Sequence, residues 1–329
     1  MRRRFIFALA AALLPGAAPQ QRDPKPEEVP TISVDVDVVN IVFTVRNKQG
    51  GLVGNLEKSD FTVEEEGRPQ SIRYFSRQTD QPLTLGLLVD TSVSQGNIIE
   101  QERMASSQFF SQVLRAQKDQ AFLISFDVNV ELLQDMTDSA RLLRGGLDKL
   151  QVNAGGGGGL HPGPVPTAGK PRGTLLHDAV YLAADDVLKR QVGRKALVLI
   201  SDGNDYGSQM TVKQAIEAAH RSDVIVYSVL YVDRGFYQRA GPIGMVGGFG
   251  GGGSLKKLSE ETGGKLFEVN RKRPLKAIYD QIQEELRSQY SVGYTPSSEG
   301  GAGFRRITIS ARNRDLKVQA RAGYYPQGN

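Results

Sequence analysis

The sequence predicts an α/β protein: a doubly wound, mostly parallel six-stranded sheet inserted in a small β-sandwich built from the N- and C-terminal segments. Three observations carry this. From Pro82 to residue 289, short apolar runs alternate with stretches of helical period, as parallel strands joined by crossover helices do. On either side the hydrophobic period drops to two, the mark of half-buried strands. Neither flank has enough strands for a core of its own, so a shared sandwich is the economical solution.

The elements follow in order. "ISVDVDV" alternates Ile32, Val34, Val36 and Val38, and "VNIVFTV" alternates Val39, Ile41, Phe43 and Val45. The phase slips between Val38 and Val39, as at a β-bulge. "NKQGG" reads as a hairpin turn, and "DFTVEEEGRPQSIRYFS" as a strand, a Gly67 turn and a strand. In the α/β part, strands are expected at 84–90, 120–127, 129–135, 195–201, 224–232 and 265–269. Helices are expected near 98–116, 139–150, 175–190, 211–222, 254–262 and 274–288. Strand 129–135 follows its predecessor too closely for a crossover helix, so it should be an antiparallel edge strand. After residue 289, "YSVGY", "RRITISA" and "LKVQARAGYY" read as three strands. Two glycine-rich stretches, 153–173 and 241–253, read as loops. The implied domains are a β-part over 31–80, an α/β part over 82–289 and a returning β-part over 290–326.

Residues 1–18, "MRRRFIFALAAALLPGAA", have three arginines, an apolar run and small residues, the order of an export signal peptide. Left uncut, the segment would act as a short membrane anchor. Residues 19–30 are Pro-rich and charged, as in a disordered linker. The chain is therefore expected to be exported, to the periplasm, the cell envelope or the medium. Its net charge is +5, and loss of Arg2, Arg3 and Arg4 leaves +2. That makes no electrostatic case for nucleic acid, and "RKR" at 271–273 reads as a solvated loop. With no cysteine, disulfides, thiol catalysis and cysteine-ligated zinc are excluded.

The chemistry gathers at two strand ends. "LTLGLLVD" ends in Asp90 and is followed by Ser92 and Ser94, and "KALVLISD" ends in Asp202. Ligands of open parallel sheets bind at the carboxyl ends of strands, where the topology reverses. If these two strands are neighbours, their carboxylates converge, and they repel unless something positive lies between them. Two carboxylates and neighbouring hydroxyls form an all-oxygen set, which suits a hard cation such as Mg²⁺ (or Mn²⁺ or Ca²⁺). Histidine is confined to His161, His177 and His220, which argues against a tight zinc site. The bland alternative is that the serines cap the following helix and Asp202 starts a turn.

These residues resemble the von Willebrand factor type A (VWFA) family. Asp90-Thr91-Ser92-Val93-Ser94 matches its metal-ion-dependent adhesion site (MIDAS), D-x-S-x-S; "RGTLLHDAV" resembles its Gly-Thr helix opening, and "LISDGND" its third element. The resemblance places Asp90, Ser92, Ser94, Thr174 and Asp202 at the metal. It covers about residues 82–289, and the flanking β-segments resemble a VWFA-related subfamily common in acidobacterial genomes. It implies a non-enzymatic adhesion module, whose metal takes an acidic side chain, Asp or Glu, from a protein partner.

Two rival readings remain open. One is a structural envelope protein whose metal only stabilises the fold. The other is a Mg²⁺-dependent phosphatase, but its D-x-D acid is replaced here by Ser92. No G-x-S-x-G elbow and no G-x-x-x-x-G-K-[ST] loop occurs, and Gly248, Gly250 and Gly253 fit a dinucleotide fingerprint only inside a glycine run far from the first strand. Neither serine hydrolysis nor nucleotide binding is expected.

Overall fold

The computed structural model describes residues 38–77, 80–152, 173–239, 251–297 and 301–326, which belong to one packed unit. The expected signal peptide and linker (1–30), the strand over 32–37 and most of both glycine-rich stretches lie outside the described residues.

Four strands open the described chain: β1 (Val39–Arg46), β2 (Phe61–Glu65), β3 (Arg68–Gln70) and β4 (Tyr74–Arg77). The α/β part follows. Its strands are β5 (Leu83–Asp90), β6 (Gln120–Phe126), β7 (Val130–Thr137), β8 (Arg194–Ser201), β9 (Val224–Leu230) and β10 (Leu266–Glu268). Its helices are α1 (Ile99–Val113), α2 (Ala140–Leu147), α3 (Leu176–Leu182), α4 (Val212–Arg221), α5 (Arg234–Arg239), α6 (Gly252–Thr262) and α7 (Leu275–Arg287). Helix α3 continues into a π-helical stretch, Ala183–Leu188. The chain closes on β11 (Tyr290–Tyr294), β12 (Arg305–Ala311), β13 (Lys317–Ala320) and β14 (Gly323–Tyr324).

The central sheet has the order β10-β9-β8-β5-β6-β7. All its pairings are parallel except β6 with β7, which is antiparallel and lies at the edge, as the short connection required. Strands β5 and β8 are neighbours, and the topology reverses between them. Every residue of β5 is buried because helices cover both faces. Leu85, Leu87 and Val89 pack with Phe109 and Phe110 of α1, Leu143 of α2 and Ile278 of α7. Leu88 faces the other way, with Leu176 of α3, Ile216 of α4 and Leu258 of α6. Each fully buried Leu or Phe contributes about 2–3 kcal/mol. Gly86 lies where Phe122 and Leu197 close over the strand, and a Cβ there would collide with both side chains.

The flanking strands form two four-stranded sheets, β13-β1-β11-β4 and β14-β12-β2-β3. Each mixes strands from both ends of the chain, around a core of Ile41, Phe43, Phe61, Val63, Val292, Tyr294 and Ile309. Phe43 meets Phe61 edge-on at 5.0 Å and stacks on Tyr290 at 5.6 Å. Two details correct the sequence expectation. "RPQSIRYFS" and "LKVQARAGYY" are not single strands: each breaks and passes from one sheet to the other, at residues 71–73 and at 321–322. A strand that turns a sandwich corner keeps its alternation on both sides, so the pattern alone does not reveal the break. The loop expected over 241–253 also ends earlier, because Gly252 and Gly253 already belong to α6.

The sandwich and the α/β part are joined by direct contacts. Only Ser288 and Gln289 separate α7 from β11. Arg46 of β1 forms an ion pair with Glu285 of α7, whose side chain is fully buried. The backbone N–H of Ala322 donates to the carbonyl of Glu261 at 2.9 Å. Among the described residues no helix is long and apolar enough to cross a membrane.

Candidate metal centre

The loops after β5 and β8 meet at the carboxyl end of the sheet. Asp90 is the last residue of β5, and Asp202 follows the last residue of β8. The turn after Asp90 is a short 3-10 helix, Val93–Gln95. The Ser92 backbone N–H donates to Asp90 Oδ1 at 2.9 Å, the Ser92 and Ser94 hydroxyls lie 3.0 Å apart, and Ser94 Oγ donates to Asp202 Oδ2 at 2.6 Å. Four of the five expected residues thus form one continuous chain of contacts. The capping alternative does not describe the serines: the cap position of α1 is Ile98, with no side-chain cap bond.

Thr174 reaches the same edge through the backbone. It pairs with Tyr206, its N–H lying 3.3 Å from the Tyr206 carbonyl and the Tyr206 N–H 2.9 Å from its own, on the loop that begins at Asp202. The N–H of Leu175 donates to the Asp127 carbonyl at 2.8 Å, and Thr91 Oγ1 donates to Asp127 Oδ2 at 3.3 Å, closing a ring of loops from four segments. All five side chains are buried, from 1% exposed at Asp90 to 9% at Ser92 and Ser94. The rim beside them carries two exposed apolar residues, Val93 and Tyr206.

The Asp202 loop is held open by glycine. Gly203 has φ +83° and packs its backbone directly on that of Gly251, so a side chain at either position would strike main chain. This contact sets the start of α6 against the Asp202 loop. Asn204 braces Asp202 in turn, its backbone N–H and its side-chain amide each donating to Oδ1 at 3.1 Å.

The two carboxylates act on each other. Burial first, and then the charge of Asp202, push the Asp90 carboxyl up to about 7, against hydrogen bonds from Ser201 and Ser92 that favour its ionised form. The oxygens of Asp90, Asp202, Ser92, Ser94 and Thr174 are hard donors that fit a divalent ion. Among the described residues no group of three or more His, Cys, Asp or Glu is arranged to hold a metal.

Two further groups escaped the sequence reading. Ser201 Oγ donates to Asp90 Oδ2 at 2.6 Å and accepts from the Gly203 N–H at 2.9 Å, locking one strand end to the other. Its signal was a serine closing an otherwise apolar buried strand. Glu102 of α1 is fully buried, and burial followed by the charges of Asp90 and Asp202 pushes its carboxyl well above the usual range. It shares a helix stripe with Ser106, Phe109, Phe110 and Val113, a carboxylate at an apolar position. His177 is buried, its ring Nδ1 3.4 Å from Asp205 Oδ1.

A doubly wound sheet, one antiparallel edge strand and a D-x-S-x-S turn on the central strand end are now together. The α/β part has the doubly wound architecture that the resemblance implies. No protein-family model and no curated protein matches the chain. Among solved structures it is similar to proximal thread matrix protein 1 of the mussel byssus, at 13% identity and a TM-score of 0.48, over 68% of this chain and 51% of that one. The same protein with a zinc-occupied MIDAS motif gives 12% and 0.48, over 68% and 49%. BatB from Bacteroides thetaiotaomicron gives 15% and 0.43, over 63% and 100%. The VWA domain of SpRpn10 gives 14% and 0.39, over 61% and 95%. This chain thus spans about half the length of the byssus protein.

Proposed function

We propose that the protein is an exported, non-enzymatic binding module. A divalent cation, Mg²⁺ or Mn²⁺ or Ca²⁺, sits among Asp90, Ser92, Ser94, Thr174 and Asp202 and accepts an Asp or Glu side chain from a partner protein. The observation that carries this is the contact chain Asp90–Ser92–Ser94–Asp202 across the two central strand ends. Hydroxyl-rich ligation leaves the ion electrophilic, and the exposed Val93 and Tyr206 offer apolar contact beside it. The site of a mussel relative that holds zinc at a MIDAS motif is consistent with a divalent ion here. The N-terminal signal pattern and the flanking β-segments support export and the VWFA-related subfamily.

The near-complete burial of all five side chains also suits a cation that only stabilises the fold. One experiment separates the readings. The immobilised protein is challenged with a displayed peptide library in Mn²⁺, then in EDTA. Recovered peptides should carry Asp or Glu, lose binding when that residue becomes Asn or Gln, and fail to bind the Asp90→Ala variant. A variant with lowered metal-bound stability but unchanged peptide recovery indicates the structural role instead. Hydrolysis of a generic phosphoester that disappears with Asp90→Ala makes the protein a phosphatase.

A further inference from the structure

A cavity of about 290 Å³ lies at the end of the central sheet opposite Asp90 and Asp202. Its walls include Leu83, the first residue of β5, and Asn40 of the sandwich strand β1. Asp90 closes the same strand β5, so about 20 Å separates the two ends. The cavity reaches the surface beside Val192, which is 84% exposed. Its volume is near the lower limit of small-molecule pockets.

The charge on its walls is unbalanced. Arg194, Lys195 and Arg321 line it against a single carboxylate, Asp223. His220 lines it too, but burial pushes its imidazole down to about 4, so it is neutral at pH 7. Three positive charges against one negative leave the lining at a formal +2. The carboxylate is already taken, since Asp223 forms an ion pair with Arg321. Arg194 is buried, and its guanidinium meets only neutral oxygens: the carbonyls of Leu286 and Gln81 and, at 3.4 Å, the side chain of Gln289. Asp119, whose charge does act on Arg194, is held by Arg115 at 2.7 Å. Lys195 is half-buried and takes part in no ion pair among the described residues. Burial lowers it from 10.5, opposed by the charge of the Asp223 that Arg321 holds.

Cations kept from water and left without an anion cost stability. An anion in the cavity offsets that cost for Arg194 and Lys195 together. The guanidinium is fixed by its carbonyl contacts and acts through its charge. The Lys195 ammonium is a mobile donor on a flexible stem.

We propose that this cavity is a second ligand site, independent of the cation centre, and that it binds one compact dianion. Lys195 donates to the ion, and Arg194 beside it balances the second charge. The ligand is of the dicarboxylate or phosphate-monoester class.

The test is calorimetry on the full chain, stripped of metal and then dialysed free of chelator, at pH 7 and constant ionic strength. The probes are succinate and inorganic phosphate, with succinamide as the neutral control. One-to-one binding is expected for at least one dianion, and the tighter of the two assigns the class. Succinamide should not bind. Lys195→Gln removes the charge and keeps most of the stem; it should weaken binding by about 10- to 100-fold, the loss of a charge-assisted hydrogen bond. Asp223 is 57% exposed in its side chain and has φ +53°, a conformation that asparagine also adopts. Asp223→Asn removes the one negative charge and should tighten binding by about two- to fivefold.

No binding of either dianion at millimolar concentration overturns the proposal. Binding that Lys195→Gln leaves unchanged places the ion elsewhere and overturns it too, as does equal binding of succinamide. If Lys195→Gln fails to fold, Asp223→Asn decides by the sign of its effect, and unchanged or weaker binding overturns the site. Metal is absent throughout, so none of these results depends on the cation centre.

Discussion

Arg46→Leu is expected to cost about 3–5 kcal/mol of stability, the usual penalty for removing one partner of a buried ion pair. Arg46 lies on the first sandwich strand and Glu285 on the last helix of the α/β part, with the Glu285 side chain completely buried. Burial raises the Glu285 carboxyl, and Arg46 is the largest influence opposing that rise, ahead of Lys265. Gln319 Nε2 reaches the same carboxylate at 3.5 Å, too long to replace the guanidinium. Without Arg46, Glu285 must either stay charged and unpaired or take up a proton. The double variant Arg46→Leu with Glu285→Leu should recover most of the loss, because it removes both desolvated charges. Urea unfolding of the four proteins of this cycle measures the coupling. A single-variant loss comparable with that of an exposed pair would show that the junction does not depend on this contact.

The second large effect concerns pH. In metal-free protein, Asp90→Asn should raise stability at about pH 8 by as much as about 4 kcal/mol. The sign follows from the carboxyl's rise from 3.8 to about 7 on folding. Between those values the folded state binds more protons than the unfolded chain, so stability falls as pH rises through the window and is flat beyond it. The amide keeps an acceptor for the Ser92 N–H and can donate to Ser201 in place of accepting, so the hydrogen bonds survive. The advantage of Asp90→Asn should shrink towards pH 4 and reverse in saturating Mg²⁺, which stabilises only the protein that binds it. Thermal unfolding in EDTA across this range is the measurement. A difference independent of pH would mean that Asp90 is not strained by its burial and by Asp202.

Much of this was legible in the sequence because the informative residues obey local rules. Strand β5 reads as apolar from Leu85 to Val89 since parallel strands are covered on both faces, and the run stops where the polar end of the sheet begins, at Asp90. The same logic located Asp202. Ser92, Ser94 and Thr174 were legible through their motif, which periodicity alone would not have supplied. What escaped has physical reasons. Glu102 falls on the stripe of Ser106, Phe109 and Val113, but acids are so rarely buried that helical spacing was outweighed. Ser201 is ordinary until β5 and β8 are seen side by side. The sheet changes at residues 71–73 and 321–322 leave no mark on the alternation, since both sheets face one core. Helix α5 is too short to show a period; its only local sign is Asp233, whose Oδ1 accepts from the N–H groups of Gly235 and Phe236 at 2.9 and 3.2 Å.

The most direct test of the central claim is an anomalous difference map from crystals of the full chain grown in Mn²⁺. The predicted result is a single strong peak enclosed by Asp90, Ser92, Ser94, Thr174 and Asp202, with serine oxygens in direct coordination. The same side chains well ordered around no peak, or manganese bound elsewhere with these residues apart, would contradict it.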